Sequence, residues 1–206
     1  FSLVMATGIV SIACHLMGID FLAFPLFYVN LFFYFWLWVF TIFRVVFYPK
    51  RILSDLSNHQ LSAGYLTLTA GTNVLGSQFV ILFDNQKAAL LLWVLGLALW
   101  LFLIYALFTL MTTKAEKPPL EKGINGAWLI IVVSTQSIAV LGMLIVSTFK
   151  AWENIFTFIM LCFYLLGCML YILIISLIFY RFMFFKLDPD ELTPPYWINM
   201  GAVAIT

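Results

Sequence analysis

The sequence predicts an all-α integral membrane protein built from helical hairpins, with the odd-numbered helices inside and the even-numbered helices outside. Three observations lead to this prediction: an apolar composition, a series of long apolar runs, and a regular alternation in the composition of those runs. Of the 206 residues, 65% are hydrophobic and 9% are charged, and the mean hydropathy is +1.09. Because soluble domains carry about 25% charged residues, this composition excludes a water-soluble enzyme. The net charge of +1 offers no basic surface for nucleic acid.

Long apolar runs divide the chain into six predicted membrane spans and the start of a seventh. A helix needs about 20 apolar residues to cross a bilayer. Pro118-Pro119 and Pro194-Pro195 precede spans five and seven, where a missing backbone N–H costs little. Because the chain begins and ends within apolar runs, we expect a single, incomplete transmembrane domain. The spans cover residues 1–18, 21–48, 60–83, 88–113, 123–148 and 155–185, with the seventh at 194–206.

The connections between spans predict the pairing and orientation of the helices. Short connections join spans one and two, three and four, and five and six, which predicts three antiparallel hairpins. The connections near 49–59, 114–122 and 186–193 are longer. By the positive-inside rule, the longer connections are cytoplasmic, and span one starts on the cytoplasmic side of the cell membrane. Two cations, Lys87 and Lys150, flank short connections, whereas eight flank the longer ones: Arg44, Lys50, Arg51, Lys114, Lys117, Lys122, Arg181 and Lys186.

Alternate spans differ in residue size. Spans one, three and five contain 27 Gly, Ala, Ser or Thr residues among 68, and 5 aromatic residues. Spans two, four and six contain 13 such small residues among 85, and 29 aromatic residues. Small residues allow helices to approach closely, whereas bulky aromatic side chains suit a surface that faces lipid. We therefore predict that the odd-numbered spans form an inner ring and the even-numbered spans an outer ring.

Polar and small residues recur at helical spacing on the odd-numbered spans. Thr7 and Ser11 are four residues apart on span one, and Thr69 and Asn73 repeat this spacing on span three. Each set forms one narrow stripe along its helix. Uncharged polar groups at membrane depth either bond to a neighbouring helix or line a wet cavity. The stripes therefore fit either close helix packing or a polar conduit.

Ionisable chemistry inside the membrane is not predicted. No Asp, Glu, Lys or Arg lies near the middle of any span, so an acidic cation pathway or a proton relay is unsupported. An anion can instead be coordinated by hydroxyls, amides and helix N-termini. The three cysteines lie in apolar runs without metal-ligand spacing. We predict no metal site, no cofactor and no catalytic residue, and hence no enzyme.

Three segments carry a resemblance to a known family: residues 1–11, FSLVMATGIVS; residues 132–142, VVSTQSIAVLG; and residues 195–206, PYWINMGAVAIT. They resemble, in this order, the first helix, the fifth helix and the start of the seventh helix of the tellurite-resistance/dicarboxylate transporter family. That family includes the bacterial tellurite-resistance protein, yeast malate and sulfite transporters and the plant slow anion channel. The resemblance covers the whole chain in order.

The resemblance implies a fold of about ten helices in five hairpins that surround a central pore, with the odd helices inside and the even helices outside, and a homotrimer with one pore per subunit. It also implies conduction or transport of small inorganic anions, sulfite or C4-dicarboxylates such as malate. A proton- or sodium-coupled carrier and a non-transporting membrane scaffold are the alternatives. The family's occluding phenylalanine lies on a ninth helix that these residues do not include. The candidate pore-lining residues are Thr7, Gly8, Ser11, Thr69, Gly71, Asn73, Thr135, Gln136, Gly142, Asn199 and Gly201.

Overall fold

A computed structural model describes residues 1–186 and 194–206 of the chain. Apolar sequences of this length form helices in a membrane because each backbone N–H and C=O is then satisfied within its own segment. Short 3-10 turns precede or follow several of the helices. The described part contains nine α-helices: α1 (Ser2–Leu16), α2 (Asp20–Phe47), α3 (Pro49–Leu56), α4 (Thr67–Phe83), α5 (Gln86–Thr113), α6 (Leu120–Gly123), α7 (Ile130–Leu144), α8 (Glu153–Phe184) and α9 (Ile198–Ile205).

The predicted all-α membrane class is confirmed. Five helical segments in the described part are long and apolar enough to cross a membrane, and they correspond to spans two to six. Span one corresponds to α1, a shorter apolar helix of 15 residues. The start of span seven corresponds to a 3-10 turn, Pro194–Trp197, followed by α9.

The helices pack as hairpins in two layers. Helix α1 packs on α2, α4 on α5, and α7 on α8. Between hairpins, α1 contacts α4, α4 contacts α7, and α7 contacts α9, so these four helices form one continuous layer. The most apolar stretches of α4 and α7 are 61% and 78% buried, against 11% for α2, 28% for α5 and 17% for α8. Helices α4 and α7 are therefore the most buried, whereas three of the 15 residues of α1 and one of the eight residues of α9 are buried. We call the layer of α1, α4, α7 and α9 the inner layer.

Side-chain size explains this layering. The inner helices approach one another at small residues such as Gly76, where an added Cβ would stand 3.3 Å from Leu141 Cδ1 on α7. The outer helices contribute bulky side chains to the core, among them Trp93, Trp100 and Phe156. Other aromatic side chains of the outer helices, such as Phe32, Phe102 and Phe158, are exposed and suit a lipid environment.

The connections contain more helical structure than the sequence patterns predicted. Residues 49–59 include the short helix α3, which begins at Pro49, a residue well suited to the first position of a helix. Span five is interrupted at its start: a 3-10 turn, Gly126–Leu129, precedes α7 because Asn125 accepts a hydrogen bond from the backbone N–H of Ala127 and caps that turn. A 3-10 turn at residues 62–66 likewise precedes α4. Of the predicted connection at 186–193, residues 187–193 lie outside the described residues.

Candidate functional site

The predicted site residues lie on the four helices of the inner layer. Most of them are buried where two or three helices meet, rather than at a single point. Thr7 and Asn199 are half-buried, and Gly201 is exposed. The buried members are Gly8, Ser11, Thr69, Gly71, Asn73, Thr135, Gln136 and Gly142.

A first polar contact joins α1, α2 and α4. Asn30 on α2 donates from Nδ2 to Gln78 Oε1 on α4, at 2.6 Å, and both side chains are fully buried. Gly8 on α1 lies against this pair, since an added Cβ would stand 3.0 Å from Asn30 Nδ2 and 3.2 Å from Gln78 Oε1. Next to it, the Ser11 hydroxyl donates to the carbonyl oxygen of Ala23 on α2, at 2.8 Å. The polar side chain of Ser11 is therefore directed at the outer helix of its own hairpin.

A second polar contact joins α4, α5 and α7. Asn73 on α4 donates from Nδ2 to Ser137 Oγ on α7, at 2.9 Å, and is almost completely buried. Gly96 on α5 accommodates the Asn73 amide, because an added Cβ there would stand 2.9 Å from Cγ and 3.1 Å from Nδ2 of Asn73. The Asn73 amide thereby connects α4 to α7 and packs against α5 at Gly96.

A third polar contact joins α7 and α8. Gln136 on α7 is fully buried and donates from Nε2 to the carbonyl oxygen of Tyr164 on α8, at 3.2 Å. Gly167 on α8 accommodates this side chain, because an added Cβ would stand 2.5 Å from Cδ and 2.6 Å from Nε2 of Gln136. A larger residue at position 167 would therefore collide with the Gln136 side chain.

Two tryptophans of α5 hydrogen-bond to α7. Trp100 Nε1 donates to Thr135 Oγ1 at 3.0 Å, and Trp93 Nε1 donates to the carbonyl oxygen of Ile138 at 3.0 Å. The Thr135 hydroxyl in turn donates to the Ile131 carbonyl oxygen at 2.8 Å. A buried indole needs an acceptor, and α7 supplies one for each. Thr135 thus holds α5 against α7, and its role in lining a conduit stays a prediction.

The remaining predicted glycines and Asn199 differ in their surroundings. An added Cβ on Gly71 would stand 3.3 Å from Phe1 Cβ, and one on Gly142 would stand 3.1 Å from Trp93 Nε1. Gly201 has no neighbouring atom within 4 Å of the corresponding position. Asn199 Oδ1 accepts a hydrogen bond from the Tyr171 hydroxyl on α8, at 3.3 Å.

Sequence reasoning missed the residues that accommodate these amides. Asn30 is the only amide in span two, and Gly96 and Gly167 are the only glycines in spans four and six. An isolated polar or small residue in an otherwise bulky span is a usable signal, because such a residue has to face another helix closely.

Several buried polar atoms of the inner helices have no hydrogen-bond partner among the described residues. They include Thr69 Oγ1, Asn73 Oδ1, Gln78 Nε2 and Gln136 Oε1. A buried polar atom without a partner is costly and is commonly satisfied by an ordered water or a ligand. The inner layer therefore offers neutral donors and acceptors at membrane depth. Helices α1, α4, α7 and α9 contain no Asp, Glu, Lys or Arg.

Side-chain hydrogen bonds and an ion pair connect the segments at the end of the bundle where most Lys and Arg residues lie. Arg181, at the end of α8, is buried and donates to the Ile124 carbonyl oxygen at 3.1 Å and to the Tyr196 hydroxyl. Arg44 near the end of α2 pairs with Asp55 of α3. These contacts fix the segments that lead into α4, α7 and α9. No group of three or more His, Cys, Asp or Glu side chains that could hold a metal ion lies in residues 1–186 or 194–206.

Comparison with known proteins identifies a family over the whole chain. The family model described as SLAC1, voltage-dependent anion channel, matches residues 1–206. Two uncharacterized transporters of Methanocaldococcus jannaschii are each 28% identical to this chain over 209 residues, which cover 98% of this chain and 60% of each relative. The chain thus spans about three fifths of the length of these relatives.

A shorter similarity involves an uncharacterized membrane protein of Mycobacterium tuberculosis, which is 51% identical over 37 residues. That match covers 18% of this chain and 19% of the relative. No solved structure matches the chain.

Proposed function

The chain belongs to the SLAC1 family of voltage-dependent anion channels, and from that premise we propose that the protein passes small anions through a membrane without catalysing a reaction. This membership confirms the family resemblance of the three sequence segments. The proposed conduit is lined by the inner helices α1, α4, α7 and α9 together with helices of the full-length protein beyond this chain.

The proposal depends mainly on the arrangement of the inner helices. They are parallel, they contain no Asp, Glu, Lys or Arg, and they begin at the end of the bundle where most Lys and Arg residues lie. Three consecutive hairpins require α1, α4, α7 and α9 to run in the same direction. The N-terminus of a helix carries about half a positive elementary charge. Eight of the ten Lys and Arg residues flank the connections at this same end. Six of the nine acidic residues flank these connections too, so eight cations against six carboxylates leave a net charge of +2 at this end. This charge and the helix N-termini favour anions there, and the neutral walls beyond contain no carboxylate that would repel them.

The neutral walls also suggest the class of anion. Hydroxyl and amide groups bind an anion more weakly than Lys or Arg would, and weak binding permits fast release. Small inorganic anions, sulfite and C4-dicarboxylates such as malate are the proposed substrates. Transport is passive or driven by the anion's own gradient, since α1, α4, α7 and α9 contain no Asp, Glu, Lys or Arg.

The eleven residues selected from the sequence remain the proposed conduit positions. Thr7 and Asn199 support this proposal best, because both are polar, half-buried and placed on the first and last inner helices. We further propose a homotrimer in the cytoplasmic membrane, with α1 starting on the cytoplasmic side. The excess of cations at that end supports the orientation.

Anion flux in liposomes tests the proposal. The full-length protein is reconstituted, and efflux of chloride, sulfite and malate is followed with and without a proton gradient. We expect efflux down each anion's gradient that is independent of the proton or sodium gradient. Flux that strictly requires one of those gradients would replace the channel with a coupled carrier. An absence of flux for all three anions would favour a scaffold.

A further inference from the structure

A cationic cavity lies at the lysine-rich end of the bundle, outside the inner-helix contacts. It has a volume of about 420 Å³ and lies between residues 58–60 and the connection that follows α5. Lys114, Lys117 and Lys122 line it, against a single carboxylate, Glu116. None of these three lysines forms an ion pair with a described acidic residue. The cavity therefore holds a concentration of positive charge that its own surroundings do not neutralise.

Three backbone carbonyl oxygens around the cavity already accept hydrogen bonds. Lys114 Nζ donates to the Ser57 carbonyl oxygen at 3.2 Å. The carbonyl oxygen of His59 accepts from Trp128 Nε1 at 3.0 Å, and that of Gln60 accepts from Asn125 Nδ2 at 3.4 Å. With these oxygens engaged, the cavity presents donors and cations but few acceptors.

The pKa of His59 reflects the positive electrostatic potential inside the cavity. Its pKa is lowered from the ordinary histidine value, first by burial and then by the neighbouring charges of Lys114 and Lys117. Its Nδ1 atom is buried and has no hydrogen-bond partner among the described residues. A site that disfavours a further positive charge and leaves a ring nitrogen unpaired suits a bound anion.

We infer that this cavity binds a phosphate group, supplied either by an anionic lipid headgroup or by a soluble phosphate, through Lys117 and Lys122, with Lys114 fixing one wall. Phosphate oxygens accept several charge-assisted hydrogen bonds at once, which matches converging lysines. Lys114 directly follows α5, which ends at Thr113, so the cavity lies where an outer helix leaves the bilayer. Anionic headgroups attract basic side chains at this depth. The cavity lies outside the inner-helix contacts, so phosphate binding here is measured separately from anion flux.

The test compares two probes on the full-length protein. In delipidated detergent solution, binding of radiolabelled inorganic phosphate is measured by equilibrium dialysis. In parallel, native mass spectrometry counts the phosphatidic acid retained after reconstitution in mixed phosphatidylcholine and phosphatidic acid vesicles. The K117Q/K122Q variant removes two exposed cations, and K87Q/K150Q removes two exposed cations at the opposite end as the matched control.

We expect the wild type to bind at least one of the probes, K117Q/K122Q to lose at least tenfold in affinity or retention, and K87Q/K150Q to match the wild type. The conservative K117R/K122R variant should retain binding, which separates charge from side-chain packing. Phosphate binding alone would identify a soluble source, and phosphatidic acid retention alone a lipid source. Binding of neither probe by the wild type, or equal binding by K117Q/K122Q, would overturn the inference, whatever the outcome of the flux assay.

Discussion

The contact between Gly167 and the Gln136 amide predicts that Gly167→Ala destabilises the α7–α8 hairpin. The new Cβ would stand 2.5 Å from Cδ, 2.6 Å from Nε2 and 2.8 Å from Cγ of Gln136. Gln136 is fully buried, so its side chain has no solvent into which to move. The displaced amide would lose its 3.2 Å bond to the Tyr164 carbonyl oxygen.

The expected loss of stability follows from three terms. Overpacking of a closely packed contact costs about 1–3 kcal/mol. The lost hydrogen bond between membrane helices adds roughly 0.6 kcal/mol, with a maximum of about 1.7 kcal/mol. Alanine is preferred over glycine in a helix by about 0.5–1 kcal/mol, which offsets part of the loss. The net expectation for Gly167→Ala is a destabilisation of about 1–3 kcal/mol.

A double-mutant cycle identifies Gln136 as the cause. The free energy of unfolding of the full-length protein is measured by titrating mixed micelles with sodium dodecyl sulfate. Gln136→Ala removes every atom that the new Cβ would meet, so Gly167→Ala should cost little or nothing in that background. Gly64→Ala, at a position with no atom within 4 Å of an added Cβ, is the control and should be nearly neutral. The reasoning is refuted if Gly167→Ala is as stable as the wild type, or equally destabilising with and without Gln136.

Three further predictions test the contacts of α5 and the cationic cavity. Trp100→Phe keeps an aromatic ring but removes the donor to Thr135 Oγ1. It should therefore lower the free energy of unfolding by about 0.5–1.5 kcal/mol in the same titration. If Trp100→Phe has no effect in a Thr135→Val background, the pairing is supported; an equal loss of stability there would contradict it. The pKa of His59 in the folded protein is lowered by burial and by the charges of Lys114 and Lys117. As the pH drops below the ordinary histidine pKa, His59 is therefore protonated in the unfolded state before it is protonated in the folded state. The free energy of unfolding should fall over this pH range. Lys117→Gln should raise the His59 pKa measured by NMR of the ring carbon, and an unchanged value would show that Lys117 lies too far away to act.

Apolar runs and their punctuation predicted the membrane spans. Span lengths and short connections predicted the three hairpins because both depend on local sequence and on bilayer thickness. The size difference between odd and even spans predicted the strong burial of α4 and α7, since close approach requires small residues. It did not predict that α1, with three buried residues of 15, is less buried than α5. Helix α3 was missed because eight residues with a mixed polar and apolar sequence carry no span-length signal.

The partners of the polar residues could not be read from the stripes. A stripe shows which residues share a face, but the rotation of each helix within the bundle decides what that face meets. Thr135 shares its helix with Gln136, yet the first contacts Trp100 on α5 and the second contacts Tyr164 on α8. Ser11 likewise bonds to its own hairpin partner. Hydrogen bonding between helices therefore accounts for part of the polar pattern that also suggested a conduit.

A reversal potential in a planar bilayer would show whether the full-length protein is an anion-selective conduit. With a chloride gradient across the bilayer and impermeant or matched cations, we expect a current that reverses near the chloride equilibrium potential. A current that reverses near the cation equilibrium potential would contradict anion selectivity. So would an absence of current with chloride, sulfite and malate in turn from protein whose incorporation is verified.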